Sequence, residues 1–230
     1  MTRSVEFALQ RPLSPSIWTA LLALCTIAAG AALRRIFALL IPPAPSHAVS
    51  AARQEMAVLD QVFAGRSALT LSHIIPALIF VLLLPYWFMQ RTRAKPLLYR
   101  RLSYVLLALG AVIGVTALLL IQHPFGGVNE ASAAVLYDLL FLFCLLRAWL
   151  LLRRKELALY RTWMLRGIAV LLGIATTRPI MAVFFATERI THLQPQQFFG
   201  TAFWIGFTIT YIAGEAWLRS HSASEFVLAE

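Results

Sequence analysis

Six side chains carry a charge or a titratable ring where nearly everything around them is apolar: Arg34, Arg35, His73, His123, Asp138 and Arg178. A charged group at bilayer depth costs several kcal/mol unless it is paired or wet, so such residues are the first candidates for function. Asp138 and Arg178 lie about two turns from the same-side ends of successive antiparallel helices, which predicts an ion pair between them. Such a pair either clasps two helices or faces a polar cavity that accepts an anionic or carbonyl group. Arg34 and Arg35 point about 100° apart on one helix, so one snorkels to the interface and the other faces the bundle. His73 and His123 fall on the same side of neighbouring helices. Two such histidines can ligate a b-type haem, with arginines pairing the propionates. Quinone is the softer variant, with His73 or Arg178 on a carbonyl and Phe or Trp204 against the ring. Cys25 and Cys144 are far apart in apolar runs and predict no metal site. No phosphate-binding glycine loop, metalloprotease helix or serine elbow is present, so the reading is non-catalytic.

The elements that must position these residues follow from composition. The chain has 230 residues, 60% hydrophobic and 13% charged, with a mean hydropathy of +0.76. Soluble domains average about 45–50% apolar and about 25% charged, and this chain departs from both in the direction of lipid. Disorder and a disulfide scaffold are excluded. About 20 apolar residues span a bilayer. Six stretches qualify, near 16–41, 70–90, 102–123, 131–152, 162–186 and 198–218. The expected fold is therefore an all-α integral membrane protein of six transmembrane helices in a single domain. Pro42, Pro43 and Pro45 end the first helix, whose apolar run is longer than the core of a cleaved signal peptide. Between the first two helices, Val49, Ala52, Met56, Leu59, Val62 and Phe63 share one face, predicting an amphipathic surface helix near 47–66. Pro179 follows Arg178 directly and predicts a kink, with Thr176 and Thr177 covering the freed carbonyl.

Net charge is +10 and the isoelectric point about 10.6. In a soluble protein that would suggest nucleic acid; here position explains it. With the N-terminus in the cytoplasm, the inner segments hold Arg3 and Arg11, then Arg91 to Arg101, then Arg153 to Arg166, then Arg219. The outer loops hold only Arg53, Arg66 and Arg189. The positive-inside rule places both termini in the cytoplasm. The six candidate polar residues then gather in the outer half of the membrane. The expected partners are the bilayer and other membrane subunits, not nucleic acid.

The sequence also repeats itself. Leu98-Tyr99-Arg100 recurs as Leu159-Tyr160-Arg161, each copy after a basic stretch and opening an apolar helix. This predicts a duplicated two-helix unit, spans two and three then four and five, forming a central four-helix bundle of parallel repeats. The inner-face motif is thus Tyr99, Arg100, Tyr160 and Arg161.

Several stretches together resemble a known family. They are Leu71-Ser72-His73, the basic loop ending Leu98-Tyr99-Arg100-Arg101, the Gly126-Gly127 turn, Tyr160-Arg161-Thr162-Trp163-Met164-Leu165-Arg166, and Arg178. Over roughly residues 70 to 190 the chain is similar to the bacterial membrane family catalogued as domain of unknown function 2306. The resemblance implies a polytopic inner-membrane protein and supplies no reaction. Family members commonly carry His-Arg where this chain has Tyr99-Arg100 and Tyr160-Arg161, so a ligand role resting on those histidines does not carry over. The expected function is a small-ligand-binding or accessory membrane subunit with an outer-half polar pocket; the alternative is a haem b- or quinone-binding redox protein.

Overall fold

The computed structural model describes residues 13–41 and 63–227. Among them the chain forms seven helices and no strand: α1 (Pro15–Leu40), α2 (Ser67–Phe88), α3 (Gln90–Arg93), α4 (Pro96–Leu120), α5 (Gly127–Arg153), α6 (Leu157–Thr191) and α7 (Pro195–Val227). Local chemistry sets their ends. Ser14 caps α1 by accepting the Ile17 N–H at 3.4 Å, and Pro15 occupies the first turn, where no amide partner is required. Gly127 opens α5 at a φ of 65°, a conformation that favours glycine over residues with a Cβ. His192 ends α6 in the left-handed region, its N–H donating to the Glu188 carbonyl at 2.8 Å.

Five of these helices, α1, α2, α4, α5 and α6, are long and apolar enough to cross a membrane. At 1.5 Å per residue even the 22 residues of α2 reach about 33 Å, enough for a hydrocarbon core of about 30 Å. The stretch expected near 198–218 lies within α7, which carries Thr201, Thr208, Thr210 and Glu215 and does not join the apolar five. The α6 and α7 helices run well past their apolar stretches, to 35 and 33 residues. Hydropathy detects only the lipid-facing part of a helix, whereas its ends are set by caps and turns. The surface helix expected near 47–66 falls largely outside the described residues.

The spanning helices close a ring in which α1 packs on α2, α2 on α4, α4 on α5, α5 on α6, and α6 back on α1, while α7 docks against α5 and α6. The centre of gravity is α6, with 44% of its apolar window buried against 11% for α1. Leu22, Phe37, Leu82, Val112, Leu139 and Val183 stay exposed around the outside, a surface suited to acyl chains rather than water. Where α6 meets α7 the backbones nearly touch. A Cβ on Gly206 would stand 2.8 Å from the Thr177 amide nitrogen and 3.0 Å from its Cα. Membrane helices use such small residues to reach van der Waals contact, because lipid removes the hydrophobic drive. We expect Gly206→Leu to destabilise the fold by about 3 kcal/mol, the upper range of overpacking, because backbone is the obstacle. Thermal unfolding in detergent checks this.

Candidate functional site

The ring encloses a cavity of about 420 Å³ near the ends of α1 and α4 and the starts of α2 and α5. Five of the six candidate polar residues line it: Arg35, His73, His123, Asp138 and Arg178. Arg34 does not, but it stands close enough to Arg178 to repel it. The adjacent arginines thus do different things, as their 100° separation requires. Arg35 places its guanidinium 4.2 Å above the Phe63 ring.

The cavity is layered. Arg35, Arg66, His123 and Glu130 sit toward the helix ends. Asp138 lies about 16 Å along α5 from Gly127, and Arg178 about 20 Å along α6 from Thr191. Val81, Ile113, Phe141 and Val170 continue the wall beyond them. Phe125, Phe199, Phe203 and Phe207 supply aromatic walls. Glu130 is already engaged, its Oε2 accepting the Gly126 N–H at 2.6 Å across the turn into α5.

His73 is held in a defined state. Its Nδ1 lies 3.1 Å from the Ile113 carbonyl and 3.0 Å from the Thr116 hydroxyl. A carbonyl only accepts, so Nδ1 carries the proton and donates; the Thr116 hydroxyl itself donates to the Val112 carbonyl at 2.6 Å. The other ring nitrogen, Nε2, keeps its lone pair.

The expected Asp138–Arg178 ion pair is not formed: among the described residues neither has a salt-bridge partner within 4.0 Å. Instead Asp138 Oδ2 and Arg178 Nε are buried without a hydrogen-bond partner, and both residues line the same cavity. Helix spacing placed them at related depth but does not fix the side-chain separation. The expected local cover at Pro179 also differs. Thr176 bonds Thr210 across to α7 at 2.7 Å, and Thr177 donates to the Ile174 carbonyl at 2.7 Å, while α6 continues through the proline.

The motif residues Tyr99 and Tyr160 gather at the opposite end of the ring. Their rings meet edge to face at 6.4 Å, and both contact Trp87, whose indole N–H donates to Ser103 at 3.3 Å. Arg161 donates from Nε to the Tyr99 hydroxyl at 3.3 Å, with its guanidinium 5.1 Å from the ring centre. Arg100 turns instead to Tyr104, 5.7 Å from its ring. Arg93, in the α3 connection, donates to the Phe88 carbonyl at 2.6 Å; burial and the like charge of Arg161 hold its guanidinium below the usual range. This end is packed, with Arg161 turned on Tyr99 and Trp87 on Ser103, while the Tyr160 hydroxyl is buried without a hydrogen-bond partner among the described residues.

Sequence reasoning missed Arg66, Glu130 and Tyr137 as cavity residues. Tyr137 carries a hydrogen bond to Thr208 on α7 at 2.6 Å, a contact between positions far apart in sequence. Glu130 was marked by its place in the first turn after Gly126-Gly127. Glu215 on α7 forms an ion pair with Arg166 on α6.

Together these features define a multi-pass α-helical membrane protein with a polar cavity toward one end of its helix ring and a packed aromatic junction at the other. The chain belongs to the family described as predicted membrane protein (DUF2306), whose model matches residues 70–218, from α2 into α7. No curated protein and no solved structure matches the chain.

Proposed function

We infer that this protein binds a small amphipathic molecule in the cavity, with a carbonyl or anionic group on Arg178 and the apolar body between the phenylalanines. One observation carries the reading: Asp138 and Arg178 share the cavity, and each has a buried polar atom without a partner. A purely structural pair would close on itself, since open charges in a low-dielectric bundle cost several kcal/mol. A ligand that supplies the missing partners offsets that cost. The volume falls within the range of about 300–1,000 Å³ typical of small-molecule sites.

The role is that of a non-catalytic binder or accessory subunit in a bacterial cytoplasmic membrane. In this reading α7 is the sixth span, both termini face the cytoplasm, and the α2–α4 and α5–α6 hairpins are the duplicated units. Reporter fusions after each helix test that topology. The ligand reading is tested by native mass spectrometry of protein purified in mild detergent. Wild type should release a bound small molecule that Arg178→Gln no longer retains. Wild type that carries nothing and takes up no added amphipath counts against it.

The redox alternative has its own support in His73. Donation from Nδ1 to a backbone carbonyl leaves Nε2 as the ligating nitrogen, which is how metal-binding histidines are commonly oriented. It ranks second because His123 sits in the turn before Pro124, outside any helix. A Soret band abolished by His73→Ala would favour haem b, and a colourless protein would remove it.

A further inference from the structure

We propose that the lipid-facing surface of α5 and α6 near their connecting turn seats one anionic phospholipid, with its phosphate on Arg147. The site lies outside the helix ring and does not depend on the cavity reading above. The observations start at Trp163. Two guanidinium groups stand over its ring, that of Arg147 at 5.3 Å and that of Arg166 at 4.8 Å from the centre. Arg166 is paired with Glu215. Arg147 has no such carboxylate: among the described residues it makes no ion pair and no hydrogen bond, and it is exposed. Its fork of N–H donors is open to whatever lies outside the helices.

Depth decides what that is. The 27 residues of α5 reach about 40 Å; centred on a hydrocarbon core of about 30 Å, they overhang it by about 5 Å at each end. Arg147 stands about 9 Å before the end of α5, just inside the hydrocarbon edge. Helical side chains lean toward the N-terminus, here toward the membrane centre, so snorkelling to water works against the bond directions. Trp163 sits about 9 Å into α6, at the matching depth, and holds the guanidinium there. An uncompensated cation at that level is costly, and a lipid phosphate is the anion within its reach. The neighbouring surface fits the rest of such a lipid. Phe143, one turn deeper, packs edge to face on Trp163 at 5.4 Å and is half exposed, as are Leu139 and Leu146. These side chains form an apolar track for an acyl chain. Toward the turn, Arg153, Arg154 and Lys155 are three exposed cations against the one carboxylate of Glu156. That balance repels the ammonium of a zwitterionic headgroup and favours a headgroup of net negative charge.

Native mass spectrometry of the delipidated protein, titrated with phosphatidylglycerol or with phosphatidylethanolamine of the same acyl chains, tests the site. Wild type should bind its first phosphatidylglycerol about tenfold more tightly than its first phosphatidylethanolamine. Arg147→Met and Arg147→Gln should both lose that preference. The residue is exposed, so the fold tolerates the change, and either variant suffices if the other does not fold. Arg101→Met removes an exposed arginine of α4 away from Trp163 and should leave the preference unchanged. Absence of the preference in wild type overturns the proposal. So does a preference that persists without Arg147, or one that Arg101→Met abolishes equally, since the second would reflect overall charge and not a seat on Arg147.

Discussion

Arg178→Met is expected to raise the stability of the ligand-free protein while abolishing ligand retention. The two effects separate because, among the described residues, the guanidinium has no acidic partner within 4.0 Å and its Nε is buried without a hydrogen bond, while Arg34 repels it. A clasp between helices would behave in the opposite way, since breaking one side of a buried pair costs about 3–5 kcal/mol. Relieving an uncompensated charge instead returns part of the desolvation penalty, of order 1–3 kcal/mol at membrane depth. Methionine keeps the length and apolar stem of the side chain, so packing changes little. Asp138→Asn should act in the same direction and nearly additively, because the two groups do not touch. The measurement is thermal unfolding in nanodiscs after delipidation, with native mass spectrometry for the bound molecule. Destabilisation by both single changes, recovered in the double variant, would restore the clasp.

That prediction also marks what the sequence could and could not say. Charged residues stranded in apolar runs were visible without a structure, and so were the helices that carry them. The positions of Arg35, His73, His123, Asp138 and Arg178 along their helices were enough to suggest one polar region. Rotation about each helix axis was not. It depends on distant contacts such as Gly206 against Thr177 and Tyr137 on Thr208, and no local periodicity encodes these. Hence Asp138 and Arg178 form no ion pair although their spacing suggested one, while Glu215 on α7 pairs with Arg166 on the neighbouring α6. The repeat showed that Tyr99 and Tyr160 occupy matching places in sequence. That the two rings touch is a property of the closed ring of helices.

Tyr160→Ala tests that closure. Tyr160 is fully buried, three residues into α6, with its ring 6.4 Å from those of both Trp87 on α2 and Tyr99 on α4. One side chain on α6 therefore meets both α2 and α4. Truncating a buried aromatic typically costs about 3–5 kcal/mol, through lost contacts and the cavity left behind. Within a bilayer the solvent-transfer part shrinks while the packing part remains, which sets the expectation at about 3 kcal/mol. Leu159 is the internal control: it is adjacent on α6 but 50% exposed, so Leu159→Ala should change stability by no more than about 0.5 kcal/mol. The loss at Tyr160 should also spread. Hydrogen exchange should speed up at the Trp87 end of α2 and the Tyr99 end of α4, because both rings pack on the one removed. The cavity lies at the opposite end of the ring, so ligand retention should fall only as far as global stability does. Equal effects at Leu159 and Tyr160, or faster exchange confined to α6, would mean that the two tyrosines do not hold the hairpins together.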